Sequence, residues 1–195
     1  MDKEKKIGFN LIGMDRVIKE LFIFNDIMKE AGVEFFLHGG TCLGIVRDHK
    51  LIDYDKDIDI GVMGDDMFKY LGSKLDGHFE NVHITGPKEG RILWAKKDMG
   101  EDLCLPIEIQ AFYKKGNVYF YNRKMGQSWD YKKMHVAWYQ SCLLGFDNIV
   151  FEGVEFKVPH KVSRFLTAFY GSDWFTPKRY TDWRYNCGNL GEGYF

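Results

Sequence analysis

The sequence has no excess of either charge. Its 27 Lys and Arg stand against 28 Asp and Glu, a formal net charge of −1. That removes the basic footprint of a protein that binds nucleic acid through its phosphates. Long apolar runs are missing too: none approaches the ~18 residues that a membrane-crossing helix needs. The opening Met1-Asp2-Lys3-Glu4-Lys5-Lys6 is mixed in charge and leads into no signal-type apolar segment. We therefore expect no nucleic-acid partner, no transmembrane segment and a cytoplasmic setting. Cysteine is sparse. Cys42, Cys104, Cys142 and Cys187 form no CxxC pair and no metal-type spacing. This sets aside a disulfide framework or a zinc site in favour of reduced, mostly buried thiols. Repeats, low-complexity stretches and linkers are also absent. With 195 residues, a single domain over 1–195 is expected.

What is present reads as an ordinary globular composition, 45% hydrophobic and 28% charged. Apolar residues at Met14, Val17, Ile18, Leu21, Phe24 and Met28 give a helical stripe that stops at Gly32. Val33–Leu37 reads as a short strand ending at Gly39-Gly40, and Thr41 as the cap of a helix through Arg47. Asp57–Met63 alternates polar and apolar like a half-buried strand. A helix is expected from Asp65-Asp66, with Met67, Tyr70, Leu71 and Leu75 on its apolar face. Strands follow at 82–85, 91–96, 103–113 and 118–121, then a hairpin over 149–158 turning at Glu152-Gly153, and a helix over 162–170. Helices first and mainly strands afterwards predict an α+β domain with a mixed β-sheet flanked by helices. Aromatic residues crowd the C-terminal half, where Lys178, Arg179 and Arg184 accompany them. Such a cluster is usually packing, though it can line a sugar or base pocket.

The chemistry concentrates in Leu37-His38-Gly39-Gly40-Thr41, Arg47 and Asp55-Lys56-Asp57-Ile58-Asp59. Glycines after a strand let the backbone approach a ligand, and N–H groups at a helix start favour an anion. Residues two apart on a strand share a face, so Asp57 and Asp59 present two carboxylates together. Asp55 joins them if the strand reaches back that far. Carboxylates this close repel unless a cation joins them, and their hard oxygens suit Mg²⁺ or Mn²⁺. Glu108, flanked by apolar neighbours in Pro106-Ile107-Glu108-Ile109-Gln110, is the candidate third acid, because a buried Glu needs a partner or a metal. The plainer alternatives are a tight turn at the glycines, a solvated acidic edge at the aspartates and a salt bridge at Glu108. Arg47 reads equally as a phosphate contact or as the partner of Asp53 or Asp55. His38 reads as structural.

A glycine-glycine-Thr loop, an aspartate pair on the next strand and a later third acid resemble the nucleotidyltransferase fold. Gly39-Gly40-Thr41-Cys42-Leu43-Gly44-Ile45-Val46-Arg47 is similar to the GGTLLGxxR segment of the LicD family, which includes phosphocholine transferases and the fukutin-related proteins. Leu51-Ile52-Asp53-Tyr54-Asp55-Lys56-Asp57-Ile58-Asp59-Ile60 resembles that family's IPWDxDIDI segment. Val158-Pro159, Phe165-Leu166 and Tyr170-Gly171-Ser172-Asp173-Trp174 resemble its closing pattern. The sequence departs from the family at Asp53-Tyr54, where Pro-Trp is usual, and at Glu108, where Asp is general.

The resemblance implies transfer of a phospho-substituent from a CDP-linked donor to a glycan or other hydroxyl acceptor. Asp57, Asp59 and Glu108 would hold the metal. Gly39, Gly40, Thr41 and Arg47 would hold the phosphates, and Glu108 or Asp55 would take the acceptor's proton. Two other readings remain at this level: a nucleotidyltransferase that adenylylates a small molecule, and a catalytically silent glycan- or nucleotide-binding module.

Overall fold

The computed structural model describes residues 5–86, 90–115, 118–123, 135–140 and 145–178. A short α1 (Phe9–Ile12) leads into α2 (Met14–Glu30), whose stripe of Val17, Leu21, Phe24 and Met28 is buried. The chain turns at Gly32, where φ is 66° and a side chain would be strained. It then forms β1 (Phe36–Leu37), α3 (Gly39–Asp48), β2 (Ile58–Met63), α4 (Phe68–Leu75), β3 (Glu80–Thr85), β4 (Ile92–Gly100) and β5 (Leu103–Lys115). β6 (Val118–Arg123), β7 (His135–Gln140), the hairpin β8 (Phe146–Phe151) and β9 (Val154–Pro159), and α5 (Val162–Tyr170) complete it.

The main sheet runs β1-β2-β5-β4-β3, with β6 and β7 continuing from the far end of the long β5. β2 and β5 are parallel, and the other strand pairs among the described residues are antiparallel. The α+β reading with a mixed sheet flanked by helices is therefore correct. One sheet face is apolar: Ile58, Ile60 and Val62 on β2, Ile107, Ile109 and Ala111 on β5, Leu93 and Ala95 on β4 are all buried. α4 packs on this face. Its Gly72 lies where a Cβ would touch Val82 and Leu93 at 3.6 and 4.0 Å. The other face carries aromatic rings at the β1 edge. Phe36 covers Gly61 so closely that a Cβ there would lie 2.2 Å from the ring. Phe36 stacks on Phe146 of the hairpin with centroids 5.0 Å apart, and Phe112 lies 5.2 Å away.

Three local expectations change. The strand expected over Val33–Leu37 shrinks to Phe36–Leu37, because only these two residues reach a partner, pairing with Gly61 and Ile60. Thr41 is not a cap. α3 starts two residues earlier, and the Thr41 hydroxyl instead accepts the Asp59 N–H at 2.9 Å. On α4 the buried residues are Phe68, Leu71 and Leu75, while Met67 precedes the helix and Tyr70 faces solvent. Cys42 and Cys104 are free, buried thiols. Cys142, Cys187, Arg179, Arg184 and much of the aromatic C-terminal half lie outside the described residues. Among the described residues no helix is long and apolar enough to cross a membrane.

Candidate active site

Asp59 is fixed by three hydrogen bonds to the start of α3. Its backbone N–H donates to the Thr41 hydroxyl at 2.9 Å, its carbonyl accepts from His38 N–H at 3.2 Å, and its Oδ2 accepts from Gly40 N–H at 2.6 Å. Strand β2 is thus locked to the first turn of α3. The two glycines are required by the acids. A Cβ on Gly39 would sit 2.3 Å from Asp59 Oδ2, and one on Gly40 2.1 Å from Asp55 Oδ2 and 3.4 Å from Asp59 Oδ2. Gly39 also has φ of 50°. The Gly-Gly turn is therefore a cradle for carboxylates, with the Gly40 N–H committed to Asp59 and Thr41 only 1% exposed.

Register supplies the third acid. Asp59 pairs with Glu108 across the parallel β2–β5 ladder, so the two side chains leave the sheet on one side. Ligand oxygens of Asp57, Asp59 and Glu108 all lie within 4.8 Å of one another, with each residue half-buried. Burial raises the Asp59 carboxyl well above its ordinary range, and the charges of Asp57, Asp55 and Glu108 push the same way, against the Gly40 hydrogen bond. Asp55 is pushed up to about 7, first by burial and then by Asp57, while the Lys56 N–H opposes. A cluster of acids that resist ionisation together is the electrostatic complement of a divalent cation. All-carboxylate oxygen chemistry, closely spaced oxygens and a glycine cradle fit Mg²⁺ or Mn²⁺.

The flanking residues divide. Arg47 turns to its neighbour Asp48, with Nε 3.0 Å from Oδ1 and Nη2 2.6 Å from Oδ2, rather than to Asp53 or Asp55. This pair raises the Arg47 guanidinium and lowers the Asp48 carboxyl. Asp53 faces Lys50 at 3.4 Å. His38 is a core residue, its ring packed edge-on to Phe112 and Phe169 at 5.1 and 5.2 Å. Lys178 pairs with Asp173, and its carbonyl accepts the Tyr54 hydroxyl at 3.0 Å. Two contributors escape a reading of the sequence. Phe9 of α1 donates its N–H to the Asp55 carbonyl at 2.9 Å and holds the approach to the acids. Trp94 of β4 lies directly across from Glu108. Short, unpatterned α1 gives no periodic signal, and register across β4–β5 is not written in either strand alone.

A mixed sheet with an acid-bearing strand pair, closed by a Gly-Gly helix start, is the arrangement of a nucleotidyltransferase fold. The crystal structure of the lincosamide antibiotic adenylyltransferase LnuA bound to lincomycin is similar to it in fold. That likeness has a TM-score of 0.50 at 16% identity, covering 80% of this chain and 94% of that one. The family model described as LicD/FKTN/FKRP, nucleotidyltransferase domain, matches residues 32–161, and the chain belongs to this family. Similar curated proteins include ribitol-5-phosphate transferase FKTN of Mus musculus, 25% identical over 172 residues, 84% of this chain and 34% of that protein. The Homo sapiens protein of the same name is 25% identical over 170 residues with the same coverage. The chain thus spans about a third of the length of these relatives.

Proposed function

We propose that the chain is a metal-dependent phosphotransferase domain that moves a phospho-substituent, such as a phospho-polyol or phosphocholine, from a CDP-linked donor to a glycan or other hydroxyl. The observation that carries this reading is the convergence of Asp57, Asp59 and Glu108 beside the Gly39-Gly40 turn. Family membership and the ribitol-5-phosphate transferase relatives supply the transferred class. When bound at the three acids, Mg²⁺ or Mn²⁺ would neutralise the diphosphate and the charge that develops on the leaving phosphate.

The chain's own residues do the rest. Asp57, Asp59 and Glu108 hold the cation, and the α3 turn fixes Asp59 so that the set needs no rearrangement when the donor arrives. Gly39 and Gly40 leave the room in which the Asp55 and Asp59 carboxylates approach the backbone, and the Thr41 hydroxyl anchors the Asp59 N–H. Arg47 pairs with Asp48 at the end of α3. Asp55, the carboxylate left over beside Gly40, takes the acceptor's proton as its oxygen bonds to phosphorus and CMP departs.

Calorimetry with CDP-ribitol, CDP-glycerol, CDP-choline, CTP and ATP, each with Mg²⁺ or with EDTA, tests this. We expect binding of a cytidine diphosphate ester that EDTA abolishes. Binding indifferent to EDTA removes the metal site. Metal-dependent binding of ATP without any cytidine compound moves the function to adenylyl transfer.

A further inference from the structure

The acids do not stand alone on their face of the sheet. Asp59 on β2 pairs with Glu108 on β5, and Glu108 pairs with Trp94 on β4. Directly paired residues project to the same side. Asp59, Glu108 and Trp94 therefore form one row across three adjacent strands, each step about 4.8 Å. The alternation on β4 agrees: Leu93 and Ala95 are 1% and 0% exposed on the apolar face beneath α4, whereas Ile92, Trp94 and Lys96 are half-buried on the opposite face. The indole is held in place. Its Nε1–H donates to Thr85 Oγ1 on β3 at 3.0 Å.

We propose that Trp94 is the platform on which the nucleobase of the donor stacks. The inference rests on the reading of the donor as a metal-bound nucleoside diphosphate ester. A diphosphate held at Asp57, Asp59 and Glu108 has two directions in which its organic part can extend along this face. Towards β1 the Asp59 row ends against His38 and the Gly39-Gly40 start of α3, and Phe36 covers the neighbouring Gly61. Towards β4 the next side chain after Glu108 is Trp94. Of the two organic ends of a donor that carries a polyol or choline, only the nucleoside has a flat aromatic ring, and an indole recognises such a ring by stacking. Stacking is tolerant of the base, so Trp94 supplies affinity for a nucleoside while leaving the choice among bases to other groups. The Thr85 hydrogen bond keeps the indole oriented before the ligand arrives, which lowers the ordering cost of binding.

The test compares Trp94→Phe, which keeps a ring, with Trp94→Leu, which keeps apolar bulk without one. Three ligands are titrated by calorimetry: Mn²⁺ alone, Mn²⁺-pyrophosphate and Mn²⁺-CDP. Trp94→Leu should weaken Mn²⁺-CDP by about 5- to 150-fold. It should leave Mn²⁺ and Mn²⁺-pyrophosphate within about twofold, and Trp94→Phe should recover most of the loss. Equal binding of Mn²⁺-CDP by Trp94→Leu and the wild type overturns the platform while leaving the metal-dependent donor site standing. Parallel loss of all three ligands in Trp94→Leu assigns Trp94 a packing role and also overturns it. Wild-type protein that binds Mn²⁺-pyrophosphate but gains nothing from the cytidine moiety overturns the platform together with the nucleotide reading.

Discussion

The two faces of strands β2 and β5 share one backbone and differ only in parity. Ile58, Ile60, Ile107 and Ile109 point one way into a dry aliphatic layer, and all four are 0% exposed. Asp57, Asp59 and Glu108 point the other way and crowd their oxygens within 4.8 Å. The first face stabilises the domain through apolar burial. The second opposes folding, since like charges are brought together and partly desolvated. The contrast teaches that the acids are positioned at the expense of stability, and that the apolar face and the α3 turn offset that expense.

The largest expected effect separates the faces by function. Asp59→Asn should lower transfer by at least about a thousandfold, since a metal that neutralises charge supplies several kcal/mol to the transition state. The same variant, without metal, should melt no lower than the wild type, because a buried repelling carboxylate has been removed. Paired activity and melting measurements would break the comparison if both fell together. Ile107→Ala should show the mirror image. It should cost about 2–5 kcal/mol of stability by denaturant titration, with Mn²⁺ affinity of the folded fraction unchanged.

A smaller loss is expected at Gly61→Ala, about 1–3 kcal/mol, from forcing a Cβ into the Phe36 ring. Chemical denaturation showing wild-type stability there would mean that the ring moves freely and does not wall the site. The smallest effect is on pH. In the metal-free protein Asp55 titrates near about 7 and Asp59 is raised as well. The folded state therefore binds more protons than the unfolded state between the ordinary carboxylate range and about pH 7. Stability should fall as pH rises through that window. Saturating Mn²⁺ should reverse the slope, because metal binding requires the ionised acids. Melting curves at pH 5 and pH 7.5, in EDTA and in Mn²⁺, check both signs.

Much of this contrast is legible in the sequence because strand parity is a local property. Asp57-Ile58-Asp59-Ile60 declares its two faces without reference to anything else, and Glu108 between Ile107 and Ile109 does the same. The Gly-Gly turn is legible as a close approach, but its object is not. The backbone meets the carboxylates of Asp55 and Asp59, which depends on α3 packing against β2. Arg47 pairs with Asp48 for a similar reason: once α3 extends to Asp48, the adjacent carboxylate is nearer than any on the following loop. Met67 and Tyr70 mislead because the helix begins at Phe68 and not at Asp65-Asp66, so that Phe68 takes the buried place and Met67 and Tyr70 stay exposed. Trp94 is invisible as a site residue until β4 is set in register against β5.

Electron paramagnetic resonance of Mn²⁺ titrated into the wild type and into Asp59→Asn tests the three-acid site most directly. The wild type should show one saturable class of bound Mn²⁺ whose spectrum changes on adding CDP, and Asp59→Asn should lose both the binding and the change. Equal Mn²⁺ binding by the two proteins, with folding confirmed by circular dichroism, would contradict it.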